Sequence, residues 1–203
     1  GSAFKKVYYD QNLGRAVSKF VPSEDLYVPY GATDILSSPR VTHLVKMPEN
    51  EVKKLMALGF YRDVSLMPGY GEDSDIEEEI DEISGVKGQN QMVELLECHC
   101  DLDIPGFEDE NENGVTGIKL PYIVTVCKDN GQVLSIRRNY NPDDPLKKKI
   151  NYFVHYKFLP GLGFYGFGLT HMIGGLSKAS TSILRQLIDA GTLANLPAGF
   201  KAR

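Results

Sequence analysis

The chain has 203 residues, 42% hydrophobic and 24% charged, and its 22 Lys and Arg against 27 Asp and Glu leave a net charge of −5. That composition excludes a disordered tail, a coiled coil and a collagen-like repeat. The acidic balance argues against a dedicated DNA-binding module, whose charge leans basic, but not against a protein that merely surrounds nucleic acid.

Gly1 and Ser2 read as a remnant of tag removal and are set aside from the fold argument. Residues 4–9 alternate as a strand, and DLYVPY (25–30) is a short extended run in which Pro29 cannot donate to a ladder. In PENEVKKLMALGF (48–60), Val52, Leu55 and Met56 follow helical spacing behind an acidic first turn. Gly59 stands where a left-handed cap belongs, with Phe60 as its apolar contact. Residues 3–70 are thus expected to form an N-terminal α/β part.

EDSDIEEEIDE (72–82) has eight acidic positions in eleven, but it lacks the EF-hand spacing and its central glycine. An exposed acidic connection over 71–92 is the expectation. Residues 93–203 then form a second part. Through ELLECHCDLDI (94–104), Leu96, Cys98, Cys100, Leu102 and Ile104 fall on one face, and Glu97, His99, Asp101 and Asp103 on a wet one. Residues 121–127 and 133–138 follow as strands around Asn130-Gly131, which predicts a two-residue mirror-image turn. Residues 152–159 supply a fourth strand. The fold class expected is α+β: a mostly antiparallel sheet, a meander of about four strands, with flanking helices.

Residues 158–177 contain no Asp, Glu, Lys or Arg and six glycines. After this Gly-rich loop, Leu176, Ala179, Ile183, Leu184, Leu187 and Ile188 recur at helical spacing up to a cap at Gly191.

Candidate chemistry is sparse. Three cysteines are too few for a disulfide scaffold and fit a reducing compartment. Cys98-His99-Cys100 resembles a metal cluster, but on a strand His99 points away from the two thiols, so no metal is expected. Two buried cysteines and an exposed histidine is the reading preferred. Gly161, Gly163 and Gly166 match GxGxxG, yet Phe164 and Tyr165 fill the positions a phosphate approaches and no parallel βαβ unit surrounds them. A nucleotide-binding enzyme using that loop, and a membrane-active Gly/aromatic segment, stay open as alternatives. His43, His99, His155 and His171 sit in no hydrolase signature. His155 and Lys157 share a strand face with Phe153 and read as surface or edge groups. The basic runs 147–149 and 137–138 are too small for duplex binding alone. No catalytic residue and no cofactor are expected.

Two segments carry a family resemblance. One runs from IRRNYNPDD (136–144) through FVHY (153–156) to LPGLGFYGFGLTH (159–171); the other is LRQLIDAGTLANLPAGFKAR (184–203). Both resemble the N-terminal body of tailed-bacteriophage portal proteins of the podovirus-like and prophage branch, and residues 33–58 are similar to its earlier part. The resemblance covers most of the chain. It implies a wing-region fragment of a structural, non-enzymatic subunit, with stem, clip and crown lying beyond residue 203. It further implies self-assembly into a dodecameric ring at one capsid vertex, located in the virion and, during assembly, in the bacterial host cytoplasm. Through that ring DNA passes without sequence-specific binding, and terminase and the head–tail connector dock on regions outside this stretch. No membrane contact follows from it. Phe164, Tyr165, Phe167, Leu176, Ile183 and Leu187 are the expected packing surface, toward a neighbour or toward the rest of the subunit.

Overall fold

The computed structural model describes residues 1–10, 13–66, 92–111, 114–161 and 163–195. The acidic stretch 72–82 lies outside the described residues. The chain divides into two compact units, Phe4–His155 and Gly1–Ala3 with Tyr156–Arg203.

The fold is α+β with antiparallel sheets. In chain order the elements are β1 (Ser2–Asp10), β2 (Arg15–Val21), β3 (Leu26–Tyr27), β4 (Arg40–Pro48), α1 (Glu49–Ala57), β5 (Met92–Leu102), β6 (Glu110–Asn111), β7 (Gly114–Val115), β8 (Leu120–Cys127), β9 (Val133–Arg138), β10 (Phe153–Lys157) and α2 (Leu169–Asn195). A five-stranded sheet has the order β3-β4-β5-β8-β9, and a three-stranded sheet the order β10-β1-β2. The larger sheet therefore takes strands from both sides of the connection expected over 71–92. β10, expected as the last strand of the meander, belongs to the other sheet. β2 and β4 are additions to the sequence reading. VTHLVKM is rich in the β-branched residues that suit a pleated surface.

Helix α1 buries Val52 completely in a cluster with Val93, Leu95, Cys127 and Leu134. Full burial of one such side chain is worth about 1.5–3 kcal/mol. The helix ends as its sequence predicts. Gly59 takes φ 76°; its N–H donates to Met56 O and that of Phe60 to Leu55 O, the two bonds of a Schellman cap. Phe60 itself is half exposed, and Tyr61 makes the contact with the core cluster instead.

The β8–β9 connection differs from the expected mirror-image turn. Gly131 alone has positive φ (67°), and its N–H reaches back to Cys127 O. Asn130 serves through its side chain: Oδ1 accepts from the Gln132 N–H and Nδ2 donates to Ser65 O. A longer right-handed turn closed by one left-handed glycine replaces the two-residue form.

In the smaller unit, Ser2 and Gly1 are part of the hydrogen bonding. The Phe158 N–H donates to Gly1 O, and the Gly166 N–H donates to Ser2 Oγ. α2 begins at Leu169 and runs 27 residues, through Gly174, Gly175 and Gly191. The expected cap at Gly191 does not form, because none of these glycines takes positive φ. Each interior glycine costs about 1 kcal/mol relative to Ala, and the one long glycine-free stretch of the helix is residues 176–190.

Candidate functional site

Within the unit Phe4–His155, side chains of β1 and β10 meet those of β4 and β5. Lys6 on β1 donates from Nζ to both carboxylate oxygens of Glu97 on β5, at 2.7 Å each. Glu97 Oε1 also lies 2.7 Å from His99 Nε2. The three side chains are only 13%, 12% and 4% exposed. Burial alone would push the Glu97 carboxyl up, but the His99 hydrogen bond and the Lys6 charge override it and hold the group well below the usual carboxylate range. An ionised carboxylate only accepts, so His99 Nε2 carries the proton and donates.

Aromatic rings close around this triad. Phe153 stands edge-on to His99 at 5.1 Å and to His43 at 5.6 Å, and Tyr152 is 5.7 Å from His99. Lys6 Nζ sits 5.7 Å from the Tyr8 ring centre and 5.8 Å from that of Phe153, within reach of a cation–π attraction.

The strand register then lays out a polar row. His43, Glu97, Thr125 and Ser135 stand opposite one another across β4, β5, β8 and β9. His43 is 5% exposed. Burial, and after it the Lys6 charge, pushes its imidazole down to about 4. Its Nδ1 has no hydrogen-bond partner among the described residues. The row opens onto a cleft of about 420 Å³ lined by Lys6, Lys19, His43, Glu97 and Arg137, with Tyr8, Tyr61 and Tyr152 among its walls. Burial, then the Glu97 charge, raises the Tyr61 hydroxyl, which stays protonated.

These residues correct the face assignments made from sequence. His99 is buried at 3% exposure, whereas Cys98 and Cys100 are only half-buried. Phe153 is also buried, at 2%. The three-stranded sheet covers the face that carries Glu97 and His99, and Lys6 supplies the charge that lets a carboxylate stay there. Val93 and Leu95 share the parity of Glu97 and His99 and are fully buried, so the inner face was marked by its first two residues. Lys6 and His43 left no comparable signal. Among the described residues no group of three His, Cys, Asp or Glu is placed to hold a metal ion.

In the other unit, Phe164 is buried and stands edge-on to Tyr165 at 5.0 Å. Tyr165 and Phe167 are about half exposed, and Phe167 contacts the His171 ring at 5.6 Å. Leu176, Ile183 and Leu187 are exposed on α2. The glycines of the GxGxxG stretch have a packing role at two of three places: a Cβ on Gly161 would meet Tyr165 O at 2.9 Å, and one on Gly166 would meet Leu159 O at 2.7 Å. The Phe167 N–H donates to Leu159 O across an antiparallel bridge there. Among the described residues no helix is long and apolar enough to cross a membrane.

The chain matches no protein-family model and no curated protein.

Proposed function

We propose that the chain is a structural part of a tailed-phage portal subunit, acting by assembly and performing no catalytic step. The observation that carries this reading is α2: 27 residues long with none buried, it exposes Leu176, Ile183, Leu184, Leu187, Ile188 and Leu193. So much exposed apolar surface on one element suits a protein partner. The portal-like segments 159–171 and 184–203 overlap the two ends of this helix, at residues 169–171 and 184–195. In this reading its partners are further copies of the chain in a dodecameric ring, with terminase and the head–tail connector docking elsewhere and DNA passing through.

The test is negative-stain electron microscopy and mass photometry of the complete natural gene product. A ring with a central opening is expected, and Ile183→Asp with Leu187→Asp should reduce it to smaller species. A monomer at micromolar concentration in the unsubstituted protein would overturn the proposal.

A further inference from the structure

The cleft in the unit Phe4–His155 has a charge balance opposite to that of the whole chain. Lys6, Lys19 and Arg137 face it against one carboxylate, Glu97, while the protein carries −5 overall. Glu97 is already committed to Lys6 and His99. Lys6 and Lys19 are directly opposite each other on β1 and β2, a like-charge pairing that destabilises a sheet unless an anion intervenes. Glu97 answers Lys6 only. Lys19 and Arg137 are exposed. They have no ion-pair partner among the described residues.

At the base of the cleft lies a second, independent feature. His43 is 95% removed from solvent, by its 5% exposure, and presents an Nδ1 without a partner among the described residues. A buried polar atom left unpaired costs about 1–3 kcal/mol, so it is a position where a ligand hydrogen bond is worth more than at the surface. Tyr152 adds a ring face to the wall. The 420 Å³ volume falls in the range of small-molecule pockets, roughly 300–1,000 Å³.

We propose that this cleft binds a small organic anion, a phosphate or carboxylate joined to a flat apolar body. Arg137 and Lys19 take the anionic group, Arg137 through its planar fork of donors, and His43 Nδ1 supplies the buried hydrogen bond. The proposal does not depend on the ring reading, since none of these residues is on α2.

The experiment is calorimetry and histidine-detected NMR on the full chain, with phenyl phosphate, benzoate, inorganic phosphate and neutral phenol as probes. Phenyl phosphate or benzoate is expected to bind saturably in the micromolar to millimolar range and to shift the His43 ring nitrogens. Response to one anion and not the other identifies which group the cleft prefers. Lys19→Gln and Arg137→Gln, both exposed positions, should each weaken binding by about ten-fold, the size of one charged hydrogen bond. Lys178→Gln on α2 should change nothing. Absence of saturable binding by either aromatic anion, equal binding by phenol, or unchanged affinity in the Lys19→Gln/Arg137→Gln double variant would each overturn the proposal. Inorganic phosphate binding as tightly as phenyl phosphate would overturn the part assigned to the apolar body.

Discussion

Lys6 on one sheet donates to both oxygens of Glu97 on the other, at 2.7 Å each, with both side chains nearly out of water. Such a pair ties two sheets at a fixed register, and its energetics are asymmetric: losing one partner strands a charge, losing both does not.

Lys6→Met should therefore cost about 3 kcal/mol in urea unfolding, by leaving the Glu97 carboxylate uncompensated. Lys6→Met combined with Glu97→Leu should recover most of that loss. Additive losses in the double variant would show that the two groups are not energetically coupled.

His43 sets a distinct pH dependence. Its folded value, about 4, lies below the ordinary 6.5, so the unfolded chain takes up the proton first as pH falls. Stability is full above pH 6.5 and declines toward pH 4, by about 3 kcal/mol at 1.36 kcal/mol per pH unit. Glu97, also depressed, adds a loss that begins only below its ordinary 4.5. Unfolding measured from pH 7 to pH 5 isolates the histidine. His43→Leu should flatten that interval, and an unchanged slope would assign it to another group.

Core and helix surface should respond in opposite ways. Leu95 is 1% exposed, and Leu95→Ala should cost about 2–5 kcal/mol through lost burial and the cavity left behind. Leu176 is 72% exposed, and Leu176→Ser should alter the stability of the isolated chain by no more than about 0.5 kcal/mol. Thermal unfolding compares the two directly.

The cap of α1 separates conformational from steric cost. Nothing lies within 4 Å of a Cβ built on Gly59, yet its φ is 76°. Gly59→Ala should destabilise by about 1 kcal/mol from backbone strain alone, while Gly59→Asn, which tolerates that region better, should cost less. Chemical denaturation of the pair distinguishes them.

Elements whose signal is local were legible in the sequence. The α1 helix with its Gly59 cap and the β9 strand could be read from periodicity and one glycine. The polar cluster was not, because alternation reports two faces and not which one is covered. On β5 the cysteine-bearing face looked apolar, and on β10 Phe153 kept company with His155 and Lys157. In both strands the histidine side is the inner one: Phe4 stacks on His155 at 4.4 Å, as Phe153 packs on His99. Imidazole passes for a polar residue in a pattern and behaves here as an aromatic packing unit. What decided the matter was Lys6, about ninety positions away from Glu97 in sequence.

The Val7 N–H bonds to Tyr152 O at 2.7 Å, joining strands that leave the ribosome far apart in time. At roughly 5–20 residues per second, β1 waits on the order of ten seconds for β10 to be made. During that interval Phe4 lacks the His155 ring and Lys6 lacks the Phe153 ring and, until β5 appears, the Glu97 carboxylate. Long-range closure of this kind folds slowly, so the nascent chain carries an unfinished sheet edge until residue 152 emerges, and that edge is the place where a growing chain is open to wrong pairing.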